Sequence, residues 1–158
     1  MIPLPDPPLR TGDLLLRPWH QDDAAALAAA WADEDVQRWT GVPLPRDQAA
    51  AERWITGDAE RRRRELSLDL VVERRGEVAG EVGLAGLDRR GGTLQIGWWT
   101  AAAHRGEGVA SAAVGLVARW AQTTLGLMPV AVCDPANPAS EAVAARAGVR
   151  VARRPLLR

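Results

Sequence analysis

The chain has 158 residues, of which 47 % are hydrophobic and 25 % are charged, a composition typical of a folded globular protein rather than of a disordered or fibrous one. Its 20 basic and 20 acidic residues cancel, so no net field attracts nucleic acid or an anionic membrane, and neither is expected as a partner. A single cysteine, Cys133, excludes an internal disulfide and a cysteine-based zinc site, and no metal is expected.

The first segment, residues 1–12, is rich in proline and predicts an extended arm. It has no apolar core of signal-peptide length. No later stretch approaches the ~20 apolar residues that cross a bilayer, so we expect a cytoplasmic protein. The residues from Leu14 to Pro18 then predict a short strand, which the proline ends.

The next segment, residues 19–64, predicts a helical insert. Its helices are expected over 22–31, 33–39 and 47–64. Four consecutive arginines, 61–64, close the last helix, where cations suit the negative end of the helix dipole. Because Glu60 and Glu65 flank this run, we interpret it as a solvated helix end rather than as a phosphate site.

The remaining chain changes to strand-like patterns. Alternating and apolar runs separated by glycine turns predict an antiparallel meander of strands over 66–72, 78–87 and 94–99. A helix over 108–124, a strand over 130–132, a helix over 137–147 and a strand over 149–152 follow. This order predicts one α+β domain, residues 1–158, with a mixed sheet.

The most informative loop is Arg105-Gly106-Glu107-Gly108, which lies between a predicted strand and a long helix. Its glycines let backbone amides turn toward one point, and the helix N-terminus adds unpaired N–H groups, so a phosphate or pyrophosphate could bind here. The loop has neither the Lys of a Walker loop nor the third glycine of a dinucleotide fingerprint. By itself the pattern is equally compatible with a simple glycine turn that caps a helix.

Further motifs favour a binding loop. At Arg105, Gly108 and Ala110 the chain resembles the GNAT superfamily of acyl-CoA N-acyltransferases, and more narrowly its RimJ/RimL-like branch. The preceding Gln95-Ile96-Gly97-Trp98-Trp99 and the later Asn137-Pro138-Ala139-Ser140 fit the same branch. The resemblance implies a mixed central sheet flanked by helices. It also implies one strand after the point where this sequence ends, so the final strand is expected to be missing and a homodimer through the open edge is possible.

The resemblance also implies which residues bind acetyl-CoA, all within residues 93–149. The backbone amides of the loop would hold the pyrophosphate, and two residues of the preceding strand and Asn137 would contact the pantetheine arm. Asn137 before Pro138 is also a typical helix N-cap, and the two roles are compatible. The predicted cofactor-binding residues are Trp99, Ala101, Arg105, Gly106, Glu107, Gly108, Val109, Ala110 and Asn137.

The catalytic residues depart from the family pattern. Many relatives carry a Glu as general base where this chain has Gln95, which cannot accept a proton, and a Tyr as general acid, a residue that this chain lacks entirely. Ser140 lies where the branch places a hydroxyl near the leaving thiolate. We select Glu81 as the substitute base, with Asp88, His20 and His104 as alternatives. Cys133 is interpreted as a buried, inert thiol.

Together these features predict an N-acetyltransferase that transfers an acetyl group from acetyl-CoA to a primary amine by direct attack on the thioester. The acceptor would be a protein N-terminus or a small-molecule amine, bound by the Trp-rich residues 19–64. Because the usual base and acid are absent, a non-catalytic acyl-CoA-binding or interaction module on the same fold is the alternative.

Overall fold

The computed structural model describes residues 1–42 and 44–153 and contains a seven-stranded sheet. Its strands lie side by side in chain order, so every sheet neighbour is also a sequence neighbour. The strands are β1 (Leu9–Thr11), β2 (Leu14–Pro18), β3 (Ser67–Arg74), β4 (Glu77–Asp88), β5 (Thr93–Thr100), β6 (Met128–Cys133) and β7 (Arg150–Arg153). The first five pair antiparallel, whereas β5, β6 and β7 are parallel to one another. The predicted α+β fold with a mixed sheet is confirmed.

Helices cover both faces of this sheet. They are α1 (Ala24–Ala32), α2 (Glu34–Trp39), α3 (Gln48–Thr56), α4 (Asp58–Arg63), α5 (Val109–Trp120) and α6 (Pro138–Ala147). Short 3-10 turns precede α1 and the α5 loop, and a π-turn over 121–125 extends α5. Among the described residues, no helix combines the length and the apolar composition of a membrane span.

Two apolar clusters flank the sheet. On one face the inward side chains of β2 to β6 pack against α5, whose buried positions include Val114 and Val117. On the other face Val71 and Trp99 of the sheet pack against α1, α2 and α3, through Leu27 and Trp31 among others. Because side chains of a strand alternate between the two faces, the central strands β3, β4 and β5 contribute to both clusters.

The prediction for the first twelve residues is incomplete. The arm includes β1, which pairs with β2 at the edge of the sheet, and the side chain of Ile2 is fully buried. The backbone N–H of Ile2 donates to the carbonyl of Arg62, 2.9 Å away, so the arm is tied to the end of α4. Three residues of a paired strand and one buried side chain therefore hold this segment against the domain.

The single helix predicted over 47–64 is divided at Gly57, which ends α3 and precedes α4. The interpretation of its arginines as a solvated end is wrong for Arg61 and Arg62. The Arg61 guanidinium stacks over Trp54, 3.7 Å from the ring centroid, and Arg62 bonds the Asp58 carboxylate at 2.8 Å. The glutamates beside the arginine run did not predict these contacts. They depend on the turn after α4, which brings Arg61 close to Asp69 of β3.

The sheet ends at β7, which pairs only with β6 among the described residues. The predicted strand over 149–152 is therefore present, shifted by one residue. Residues 154–158 lie outside the described part of the chain, and with them the predicted open edge beyond β7. Within the described segments, three or more His, Cys, Asp or Glu side chains do not gather into a metal-binding group.

Candidate active site

A cavity of about 570 Å³ opens on the sheet face that α1, α2 and α3 cover. Its floor is formed by β3, β4 and β5, and its far side by the end of β6 and the start of α6. Three tryptophans line the side of the insert, namely Trp31, Trp39 and Trp54. The cavity therefore lies between residues 19–64 and the parallel half of the sheet.

The floor of the cavity is hollow because two glycines face it. Gly83 and Gly97 are direct partners across β4 and β5, and Asp69 is the partner of Gly83 on β3. A Cβ atom on Gly83 would stand only 2.9 Å from Oδ1 of Asp69, so a larger residue there would displace the carboxylate. The missing side chains leave space directly beside Asp69.

Glu81 faces the same cavity, next to these glycines. In the sheet register it lies between Val71 of β3 and Trp99 of β5. Its two oxygens accept from two indoles, from Trp19 Nε1 at 2.7 Å and from Trp99 Nε1 at 3.2 Å. The two rings are stacked with centroids 6.2 Å apart. Glu81 is thus an oriented carboxylate in the cavity wall, as its selection as a candidate catalytic residue requires.

The surroundings of Glu81 favour its neutral form. Removal from water raises its pKa to about 8, the nearby Asp69 carboxylate adds to the rise, and the two indole hydrogen bonds oppose it. A carboxyl group that loses its proton near pH 8 is an effective general base at slightly alkaline pH. Asp69, which is 8 % exposed, also has a raised pKa, chiefly through its own burial.

We expect this raised pKa to make stability depend on pH. The folded protein holds the Glu81 proton more tightly than an unfolded chain, in which a Glu has a pKa of about 4.3. The contribution is therefore complete below about pH 4 and is lost as pH rises through 8. Between pH 5 and pH 9 the free energy of unfolding of wild type should therefore fall relative to that of Glu81→Gln by about 4 kcal/mol, since about three pH units of this range lie below the folded pKa and each is worth about 1.4 kcal/mol.

Urea unfolding of both proteins at the two pH values measures this difference. The glutamine leaves one indole N–H without an acceptor, which lowers stability at every pH and cancels from the comparison. A constant difference between the variants from pH 5 to 9 would show that Glu81 ionises with an ordinary pKa.

Ser140 and Asn137 meet at the start of α6. The Asn137 side chain caps the helix by accepting from the Ser140 backbone N–H at 3.3 Å, and its Nδ2 donates to Ser140 Oγ at 2.8 Å. The predicted N-cap is confirmed. Because Oγ accepts from Asn137, its own hydrogen is free to donate, and Ser140 lines the cavity.

Cys133 ends β6 beside the same cavity and is buried. Burial raises the pKa of the thiol, and Glu141 adds to this. A protonated thiol is a weak nucleophile, which agrees with the predicted inert role. Asp88, an alternative base, instead accepts from the amides of the turn after β4 and is exposed.

Strands β5 and β6 separate next to the cavity. Their pairing ends at Ile96 and Ala131, although β5 continues to Thr100 and β6 to Cys133. Beyond the last pair, the edge of β5 that faces β6 has backbone N–H and C=O groups without a strand partner in the part of the chain that the structure describes. Such an edge can accept an added extended chain.

The alternation of β5 decides which residues face this gap. Ala101 donates its N–H to Ala79 of β4 at 2.8 Å, and its carbonyl accepts from His104 at 2.9 Å. On the other side, Gly92 accepts from the Met128 N–H. Backbone groups of successive strand residues point to opposite edges, so odd-numbered residues of β5 face β4 and even-numbered ones face β6.

The pairing with β4 turns the backbone groups of Trp99 and Ala101 away from the gap, and their predicted contacts with the pantetheine arm stay a prediction. Trp98 and Thr100 present their backbone groups to the gap, where the Thr100 carbonyl already accepts from Arg105 Nε at 3.1 Å. The sequence motif gives the position of the strand. It does not show whether the odd-numbered or the even-numbered residues turn their backbone groups toward the gap, because that depends on the pairing with β4. Trp99 still belongs to the site, because its ring lines the cavity and bonds Glu81.

The loop before α5 has the predicted shape. Gly106 and Gly108 have φ values of +75° and +78°, a left-handed conformation that glycine adopts without strain. Gly108 is the N-cap of α5 and provides no side chain, so the first amides of the helix, at Val109 and Ala110, are open to a ligand. The positive end of the α5 dipole lies at the same point.

The two charged side chains of the loop bind elsewhere in the protein. Glu107 pairs with Arg74 at the end of β3, which neutralises the charge that would otherwise repel a phosphate. Arg105 reaches to the start of α2, where it bonds Asp33 at 2.8 Å and Asp35 at 3.3 Å. Arg105 therefore connects the loop to the helical insert.

Comparison with known proteins identifies the fold family. Residues 13–150 match the acetyltransferase (GNAT) domain family. The chain belongs to this family. An uncharacterized N-acetyltransferase p20 of Bacillus licheniformis is 30 % identical over 138 residues, which are 82 % of this chain and 74 % of that protein.

One solved structure supports the RimJ/RimL-like branch, and a second shares the fold. RimJ of Mycobacterium smegmatis, in complex with a CoA-disulfide, is 26 % identical with a TM-score of 0.73, over 84 % of this chain and 68 % of that one. RimL, a ribosomal L7/L12 alpha-N-protein acetyltransferase solved with coenzyme A, has a TM-score of 0.75 at 20 % identity, over 87 % and 80 % of the two chains. The latter likeness concerns the fold.

Proposed function

We propose that this GNAT domain transfers the acetyl group of acetyl-CoA to a primary amine, with Glu81 as general base. The observation that carries the proposal is the position of Glu81. It is an oriented carboxylate in a cavity that also contains Ser140 and borders the open edge of β5. RimL, which acetylates a ribosomal protein, supports a protein or peptide N-terminus as acceptor, and a small-molecule amine fits the same chemistry.

The open backbone groups fit acetyl-CoA in two places. The amides from Gly106 to Ala110 and the α5 dipole suit the pyrophosphate, as in other anion sites at helix N-termini. The gap after Ile96 suits the pantetheine arm, whose amides can pair with Trp98 and Thr100 like an added strand. This extended path would lead the thioester to the cavity.

Acetyl-CoA supplies an acetyl group activated as a thioester. In the proposed reaction the amine nitrogen attacks the thioester carbonyl carbon, the C–S bond breaks, and Glu81 takes the proton that the amine loses. A backbone N–H at the open edge of β5 would polarise the carbonyl. Ser140 would donate its hydroxyl hydrogen toward the departing sulfur. Holding amine and thioester together can by itself supply ~7–11 kcal/mol.

The alternative, a non-catalytic module, rested on Gln95 and on the absence of tyrosine. Gln95 lines the cavity, but Glu81 lies in the same cavity on the neighbouring strand. The loss of the usual base position therefore does not leave the cavity without a base. An assay for acetyl transfer to amines separates the two functions.

We expect acetyl-CoA to raise the thermal unfolding midpoint in a saturable way. A ligand that binds only the folded state adds about 2.7 kcal/mol at a hundredfold excess over its dissociation constant. Differential scanning fluorimetry over a concentration series measures the shift, with acetate at the same concentrations as control. A folded protein whose midpoint does not move at millimolar acetyl-CoA would contradict both the proposed function and the acyl-CoA-binding alternative.

A further inference from the structure

The side chain of Arg105 leaves the loop before α5 and binds to other parts of the protein. Its Nε donates to the Thr100 carbonyl at 3.1 Å, and its Nη2 and Nη1 donate to Asp33 and Asp35 at 2.8 and 3.3 Å. The guanidinium lowers the pKa of Asp33, as a close ion pair does. Arg105 thus joins the half of the chain that contains the loop, residues 93–149, to the insert, residues 19–64.

The aspartate that Arg105 binds also begins α2. Asp33 Oδ1 accepts from the backbone N–H groups of Asp35 and Val36, both at 3.0 Å, so one oxygen holds the helix cap and the guanidinium together. The helix has six residues and buries one side chain, that of Val36. A helix this short gains little stability from its own hydrogen bonds. Its position therefore depends on contacts with the rest of the protein, and the Arg105 ion pairs are among them.

The other end of α2 forms one wall of the cavity. This wall segment, residues 38–42, includes the large ring of Trp39. Thr40 ties the segment to α2, because its backbone N–H and its hydroxyl donate to the Val36 carbonyl at 3.0 and 2.5 Å. A displacement of the cap at Asp33 would therefore be carried along one short helix to the cavity.

Both parts of the proposed cofactor path border Arg105. The amides from Gly106 to Ala110, which suit the pyrophosphate, follow it directly in the chain. The Thr100 carbonyl, which lies at the gap beside β5, already accepts from its Nε. A ligand that orders the loop or pairs with Thr100 must therefore act on the residue that is fixed to α2.

We propose that Arg105 is a positioning residue for the acceptor, whose side chain transmits occupancy of the pyrophosphate loop to α2 and the wall segment. This rests on the proposed function, because it requires a pyrophosphate at the loop. The family resemblance implies a role for Arg105 through its backbone, on the cofactor side, whereas its side chain acts on the acceptor side. Since coupling between two binding sites is reciprocal, a bound amine strengthens acetyl-CoA binding by the same factor.

ADP tests this coupling without turnover. It contains a pyrophosphate but no pantetheine arm, so it can occupy the loop without extending along β5 into the cavity. In ¹⁵N-labelled protein, the amides of Gly106 and Gly108 report on the loop, and the Nε1–H signal of Trp39, assigned with Trp39→Phe, reports on the wall segment. We expect the loop and Trp39 signals of the wild type to shift with a common dissociation constant.

Two variants remove the ion pair from either side. Arg105→Gln should still bind ADP at the loop but should lose most of the Trp39 shift. Asp33→Asn should do the same and keep α2 intact, because Asn caps a helix as well as Asp does. In acetyl-transfer assays, both should raise KM for the amine by about fivefold or more, with little change in kcat. Arg89→Gln, which removes an exposed ion pair with Glu65, is the matched control and should keep the full response.

Equal Trp39 shifts in the wild type and in the two folded variants, or loop binding without a Trp39 shift in the wild type, would each overturn the inference. A role in stability alone would lower the unfolding midpoint of Arg105→Gln and leave its Trp39 response unchanged. If Arg105→Gln does not fold, Asp33→Asn decides. Loop amides that respond neither to ADP nor to acetyl-CoA would instead refute the proposed cofactor site, and the coupling with it.

Discussion

Replacing Glu81 with glutamine is expected to lower kcat/KM for amine acetylation by about 10²–10⁴-fold, the usual contribution of a general base. The variant preserves the size of the side chain and one acceptor for the two indoles, so the cavity should keep its shape. In the wild type, kcat/KM should rise with pH as Glu81 loses its proton near pH 8. The variant should lack this titration.

Steady-state kinetics from pH 6 to 10, with the best amine from a screen, measure both effects. Glu34→Gln, which changes an exposed glutamate on α2, is the matched control and should behave as wild type. Acetyl-CoA affinity should be the same in all three proteins, because Glu81 lies away from the loop before α5. A Glu81→Gln variant with full activity would show that another group takes the proton.

Replacing Gly108 with alanine is expected to weaken acetyl-CoA binding tenfold or more. At a φ of +78° the alanine adds strain of about 1 kcal/mol, which the backbone relieves by rotating the amides that would hold the pyrophosphate. The added methyl group meets no protein atom within 4 Å, so packing within the protein is not disturbed. Isothermal titration calorimetry with acetyl-CoA measures the dissociation constant.

Gly126→Ala is the control for this variant. Gly126 follows the π-turn at the other end of α5, has a φ of +67°, and likewise leaves space for a methyl group. Both variants should lose similar unfolding free energy, but only Gly108→Ala should lose affinity for acetyl-CoA. Equal affinities of the two variants would place the pyrophosphate away from the α5 N-terminus.

Much of the fold follows from local patterns. The alternation in 66–72, 78–87 and 94–99 and the glycine turns between them predicted the meander β3, β4 and β5, because hairpins join residues that are close in sequence. The parallel end of the sheet followed from its strand–helix–strand order. The shape of the α5 loop was predictable for the same reason, since two glycines and a helix start determine it within a few residues.

The sequence by itself thus determined the family, the order of strands and helices apart from β1 and the division between α3 and α4, and the position of the loop before α5. The tertiary structure decided which groups meet in the cavity. The register between strands and the helices packed over them bring Glu81 and Asp69 into the cavity and turn the even-numbered backbone groups of β5 toward the gap beside it. A strand pattern repeats every two residues, but the face and edge that each residue presents depend on partners distant in sequence.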